Sequence, residues 1–154
     1  MTEDRIQHPD LPYTLSFDLG DFELDKVHHW LSVEAYWSKG LPRELMERSF
    51  RNSIVLGLYH NDVGQVGLAR TVTDKATFSY LADVYISNTH RGLGLANWLM
   101  KAMMAHRDLQ GLRRMMLATS DMHALYRKFG FKDARDSKLL MEIVEPGIYV
   151  RPKS

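Results

Sequence analysis

The stretch Tyr80-Leu81-Ala82-Asp83-Val84-Tyr85-Ile86-Ser87-Asn88-Thr89-His90-Arg91-Gly92-Leu93-Gly94-Leu95-Ala96 decides the fold. It begins as a strand, crosses a polar turn and a two-glycine loop, and ends inside a helix. The strand is expected over Thr77–Ile86. Phe78, Tyr80, Ala82, Val84 and Ile86 fall on one face and Leu81, Asp83 and Tyr85 on the other. Apolar residues on both faces predict a central strand. Asp83 is the odd member, a carboxylate where burial is expected. The helix is expected to reach about Leu109, with Leu95, Trp98, Leu99, Ala102 and Met103 at i, i+3, i+4 spacing and Gly111 as its stop.

A glycine loop between a strand and a helix is a ready anion site. The first-turn N–H groups are unpaired, the helix dipole is positive there, and glycine lets a phosphate approach the backbone. A Walker loop requires Lys-Ser/Thr after its last glycine, and Leu95-Ala96-Asn97 stands there instead. A dinucleotide loop requires a third glycine where Asn97 stands. The remaining pattern, Arg/Gln-x-x-Gly-x-Gly/Ala, is a pyrophosphate loop, and Arg91, Gly94 and Ala96 match it in full.

Upstream of this stretch, Leu11–Phe17 reads as a strand, Leu24–Val33 as a helix, and Pro42 to about Phe50 as a second helix after a turn at Ser38-Lys39-Gly40. The period then changes to 2: Ile54–Tyr59 and Val63–Thr73 form a hairpin about Asn61-Asp62. Downstream, Arg113–Ala118 reads as a strand, Asp121–Phe129 as a short helix closed by Gly130, and Lys138–Val144 as a last strand. The order β-α-α-β-β-β-α-β-α-β describes a mixed α/β fold with an antiparallel meander at its centre.

Composition narrows the function classes. At 154 residues the chain is expected to form one domain over residues 1–154. With 45% hydrophobic and 25% charged residues, wholesale disorder is excluded. Zero cysteines exclude disulfides, a Cys-ligated zinc and a cysteine nucleophile. The net charge of +1 does not suit a surface that wraps nucleic acid. It divides unevenly, with a net of −4 over residues 1–75 and +5 over residues 76–154, which suits an anionic ligand held by the second half. No apolar run approaches the roughly 18 residues of a membrane helix, and the polar start Met1-Thr2-Glu3-Asp4-Arg5 has no leader pattern. A soluble, cytoplasmic protein is expected.

The loop through Arg91 resembles the coenzyme-A-binding motif of the GNAT superfamily of N-acetyltransferases. Ala124-Leu125-Tyr126-Arg127-Lys128-Phe129-Gly130-Phe131 resembles that family's second motif, a Tyr on a short helix ahead of a Gly-Phe pair. The resemblance covers roughly residues 11–145 and implies a GNAT-like fold, a central, mostly antiparallel sheet flanked by helices. It also implies acetyl-CoA as co-substrate, with the pyrophosphate on the amides of Gly92, Leu93, Gly94, Leu95 and Ala96 beside Arg91. The pantetheine arm would then pair with the backbone of Val84, Tyr85 and Ile86. Where the family often has Asn two turns ahead of the Tyr, this chain has Thr119, which can still donate or accept a hydrogen bond.

Without cysteine, direct attack of an amine within a ternary complex is the expected route. Tyr126 is the expected general acid, since a phenol titrates near 10, close to an aliphatic thiol. Asp83 is the candidate acceptor of the amine's proton, or else a carboxylate satisfied by a structural partner. Glu34, Tyr36 and Trp37 are candidates for the acceptor pocket, through charge and cation–π contacts, or else pack helices. His28-His29 lacks a second cluster and reads as a helix face, so no metal is expected. The expected acceptor is the primary amine of a small molecule, with no nucleic acid or membrane as partner and a homodimer left open. Acetylation of a protein or peptide, and a non-catalytic acyl-CoA sensor, are the rival readings.

Overall fold

The computed structural model describes residues 4–152. Six strands form one sheet in the order β1 (Arg5–Gln7), β2 (Tyr13–Ser16), β3 (Ile54–His60), β4 (Gly64–Thr73), β5 (Phe78–Ile86) and β6 (Arg114–Leu117). Every neighbouring pair is antiparallel except β5 and β6, which are parallel. Helices α1 (Leu24–His29), α2 (Arg43–Arg51), α3 (Leu95–Met104) and α4 (His123–Arg127) complete the mixed α/β architecture. The fold class is the one expected.

The pleat explains the layers. Successive side chains point to opposite faces, so Leu56, Leu58, Ala69 and Ile86 pack with Leu95, Leu99 and Met103 of α3. Their neighbours Val55, Leu68 and Tyr85 pack on the other face with Val27, Leu31, Met46 and Phe50 of the first two helices and the turn between them. Burying each such side chain contributes roughly 1.5–3 kcal/mol. Beyond α1 the chain continues through one π turn, Trp30–Glu34, and a 3₁₀ turn, Tyr36–Ser38.

Three expectations are corrected. The first is a strand missed at the N-terminus, β1, three exposed residues too short and too polar to show a period. The second concerns the faces of β5. Arg70 pairs with Asp83 but Thr71 pairs with Leu81, so Ala82 is an extra residue, a β-bulge. Cross-strand partners share a face. Leu81 therefore lies with Thr71 on the α3 side, while Asp83 and Tyr85 lie on the other. Phe78 and Tyr80 likewise part from Val84 and Ile86. The third is the last strand. Lys138–Val144 does not form one: Asp136 sits at φ +48°, a 3₁₀ turn follows at Ser137–Leu139, and no ladder forms beyond it. A left-handed residue without glycine's freedom redirects the chain there.

Candidate active site

The bulge at Ala82 falls where β5 and β6 part. Parallel pairing of β5 with β6 runs only from Phe78 to Leu81. Past Leu81 the β6 side of β5 has no strand partner, while its other side stays paired through Val84, Tyr85 and Ile86 with Ala69, Leu68 and Gly67. A bulged strand bends, and its free backbone groups line the opening.

The glycine loop closes one end of that opening. A 3₁₀ turn at Asn88–His90 leads to Arg91, and Gly94 caps α3 at φ +76°. Gly92, at φ +81°, also lies in the left-handed region, and a Cβ at either glycine would meet nothing within 4 Å. Both positions favour glycine by conformation and leave an open cradle over the first-turn N–H groups of the helix. Arg91 is spent on holding the loop. Its Nε donates to the Ile86 carbonyl at 2.7 Å and an Nη to Asn88 Oδ1 at 2.6 Å, with the guanidinium 5.5 Å from the Tyr85 ring centre. Leu95 is buried in the core and contributes only its backbone, whereas Leu93 is exposed.

Tyr126 lies on α4, 8% exposed and edge-on to Phe131. Burial pushes its phenol above the ordinary tyrosine value, and the neighbouring Tyr36 and Asp121 add to the shift. Thr119 accepts a hydrogen bond from the Met122 amide at 3.0 Å, which organises the start of the same helix.

The aromatic segment is fastened across the opening by its polar tips. Trp30 stacks on Tyr85 with ring centres 5.3 Å apart. The Tyr85 hydroxyl donates to Glu34, and burial with that carboxylate pushes its pKa up to about 12. Trp37 Nε1 donates to Asp83 Oδ1 at 2.7 Å. Tyr36, 64% exposed, places its hydroxyl 3.1 Å from Ser120 Oγ on the β6 side. Asp83 has a second partner: Arg70 Nε lies 2.6 Å from its other oxygen, and Arg70 also reaches Ser53 Oγ at 3.1 Å. Arg70 and Ser120 were missed in the sequence. A charged residue midway along an apolar strand was the signal for Arg70, but an unbulged register sets it opposite Ala82.

Among the described residues no helix is long and apolar enough to cross a membrane, and no group of three or more His, Asp or Glu is placed to hold a metal.

Comparison with known proteins gives the class to which this chain belongs. The family profile described as an acetyltransferase (GNAT) domain matches residues 51–133. A Gibberella zeae protein, provisionally named an acetyltransferase, is 36% identical over 146 residues, covering 80% of this chain and 81% of its own. A crystal structure from Xanthomonas campestris pv. campestris, of a chain provisionally assigned as a GNAT acetyltransferase, superposes with a TM-score of 0.88 at 42% identity. It covers 92% of this chain and 99% of its own. A GNAT acetyltransferase of Elizabethkingia anophelis, solved with acetyl-CoA bound, shares the fold at a TM-score of 0.60 and 14% identity, covering 89% and 91%. The chain belongs to the GNAT superfamily of acetyltransferases. It is an acyltransferase, of a family that uses acetyl-CoA.

Proposed function

We propose that this protein acetylates the primary amine of a small molecule, with acetyl-CoA as donor and direct attack within a ternary complex. The observation that carries the reading is the edge of β5 past Leu81, which has no β6 partner and leads into the glycine cradle. The amides from Gly92 to Ala96 fit a pyrophosphate, because the two left-handed glycines leave them uncovered. The stretch Val84–Ile86, apart from the Ile86 carbonyl that Arg91 holds, then offers backbone partners to an amide-bearing arm, as an edge strand does to a peptide. Bound there, acetyl-CoA supplies a thioester carbonyl open to a neutral nitrogen.

As the new C–N bond forms and the C–S bond breaks, the Tyr126 hydroxyl gives its proton to the departing sulfur and is reprotonated from the acylated nitrogen. Burial keeps that phenol protonated throughout the neutral range, as an acid requires. Asp83 acts by position. Both its oxygens are engaged, one by Trp37 and one by Arg70, so it sets the wall of the acceptor site. Glu34, exposed beside Tyr85, attracts a cationic amine. Tyr36 reaches Ser120 over the opening, and that narrowing favours a small acceptor over a peptide chain. The proposal is tested by following thioester consumption with polyamines, arylamines, aminoglycosides, amino acids and basic peptides. Turnover with a small amine is expected. Turnover confined to peptides would overturn the acceptor class.

A further inference from the structure

A cleft of about 420 Å³ lies between α2 and the bulge of β5, a volume within the roughly 300–1,000 Å³ of small-molecule sites. Ala82 and Asp83 line it from β5, where the edge without a β6 partner begins. Leu45 and Arg48 line it from α2, at i and i+3 and so on one helix face. Trp37 adds an indole whose orientation is fixed by its bond to Asp83. The cleft joins the start of the edge proposed to hold the cofactor's arm to an apolar wall and two guanidiniums, the second from Arg70 of β4.

Both guanidiniums are only partly engaged. Arg70 gives Nε to Asp83 at 2.6 Å and an Nη to Ser53 at 3.1 Å, while its other Nη has no partner among the described residues. Holding Asp83 takes one of the five N–H donors that an arginine carries. Arg48 pairs with Glu44 at 3.3 Å across one helical turn, with side chains 59% and 85% exposed. A surface pair of that kind is loose and contributes little. Among the described residues Asp83 is the single acid in the lining, and Arg70 neutralises it. The charge of Arg48 is thus unanswered within the cleft. Two planar forks with donors to spare match the oxygens of a carboxylate or a phosphate.

We propose that the acceptor amine also carries an anionic group, a carboxylate or a phosphate, which Arg48 and Arg70 hold while the nitrogen lies at Ala82. The inference rests on the small-amine reading above and narrows it. An acceptor gripped by its anion is oriented, with the nitrogen turned to the edge of β5 where the thioester is proposed to lie. Asp83 gains a purpose in this arrangement: its bond to Nε aims the Arg70 fork, leaving the remaining donors for substrate. An amine without an anion meets Trp37 and Leu45 but leaves Arg48 unanswered, so discrimination lies in the anionic group.

Rates of acetyl-CoA consumption with matched acceptors test it: amino acids, 4-aminobutyrate among them, against their carboxamides, and O-phosphoethanolamine against ethanolamine. Each rate is corrected for the fraction of neutral amine. In at least one kind of pair the anionic member should show a kcat/KM about tenfold to a hundredfold above its partner, carried mainly by KM. The pair that shows it tells carboxylate from phosphate. Arg48→Gln, at an exposed position of α2, should lower that ratio about tenfold. Equal use of both members in every pair overturns the inference and leaves the small-amine reading standing. A preference that Arg48→Gln leaves intact overturns it too. A chain that consumes no small amine loses the small-amine reading and this inference together. The ratios of the parent chain decide the matter even where the variant does not fold.

Discussion

Asp83 is held from two sides, by the Trp37 indole and the Arg70 guanidinium, and that changes what the residue can do. Its side chain is 7% exposed and that of Arg70 is 16% exposed. Removing the charge strands a buried guanidinium, which typically costs about 3–5 kcal/mol. Asp83→Asn should therefore lower stability in urea denaturation by that amount, and a loss under about 1 kcal/mol would contradict the structural role. The same variant separates position from proton transfer. A positioning residue predicts a rate deficit equal at pH 6 and pH 9, whereas a base predicts a deficit that grows at low pH, where few amines are neutral. Tyr126→Phe keeps the ring against Phe131 and deletes only the hydroxyl. Turnover should fall on the order of 10²–10⁴-fold with acetyl-CoA affinity unchanged. Unchanged turnover would return Tyr126 to the core.

At the scale of elements, the helices and the long strands were legible because each presents a full period to a core. Leu95, Leu99 and Met103 announce α3, and Ile54–Tyr59 announces β3, from spacing alone. The bulge was not legible. A period-2 reading assumes every residue pairs, and one extra residue at Ala82 reverses the faces behind it without altering composition. That reversal brings Arg70 opposite Asp83, and the pairing of β5 with β6 ends at the residue before the bulge, so the geometry on which the proposed site rests was the least visible in the sequence. The arm at Lys138–Val144 failed for another reason: a strand pattern states that a strand can form, but the left-handed Asp136 and the 3₁₀ turn after it leave the segment without a ladder. The conformation of the glycine loop was readable because Gly92 and Gly94 sit in the left-handed region, whereas Tyr126 was singled out by the family resemblance of its motif. Trp37→Ala tests the division between the two ends of the opening. It should weaken acceptor use while leaving the thermal shift produced by acetyl-CoA intact, since the indole contacts Asp83 and Tyr36 rather than the loop. An equal loss of both would make the aromatic segment simple packing.

Across the whole molecule, three phenols share one electrostatic fate. Burial raises the pKa of Tyr59, Tyr85 and Tyr126 above the ordinary value near 10. The unfolded chain releases those protons first as pH rises, so the native state binds more protons above pH 10. Stability contributed by neutral phenols is therefore full below that pH and is lost on going higher. The melting temperature should fall between pH 9.5 and 11.5, and a flat profile would contradict the burial of these rings.

The central claim is that the opening beside β5 receives acetyl-CoA on the glycine cradle, and the melting temperature with and without cofactor tests it most directly. Acetyl-CoA at about 100 times its dissociation constant should contribute about 2.7 kcal/mol, a rise of several degrees. NAD should give none, and Gly94→Val, which puts a branched side chain at φ +76° over the first-turn amides, should remove the rise. A shift with NAD alone, or a Gly94→Val chain that acetyl-CoA stabilises as fully as the parent, would contradict the account.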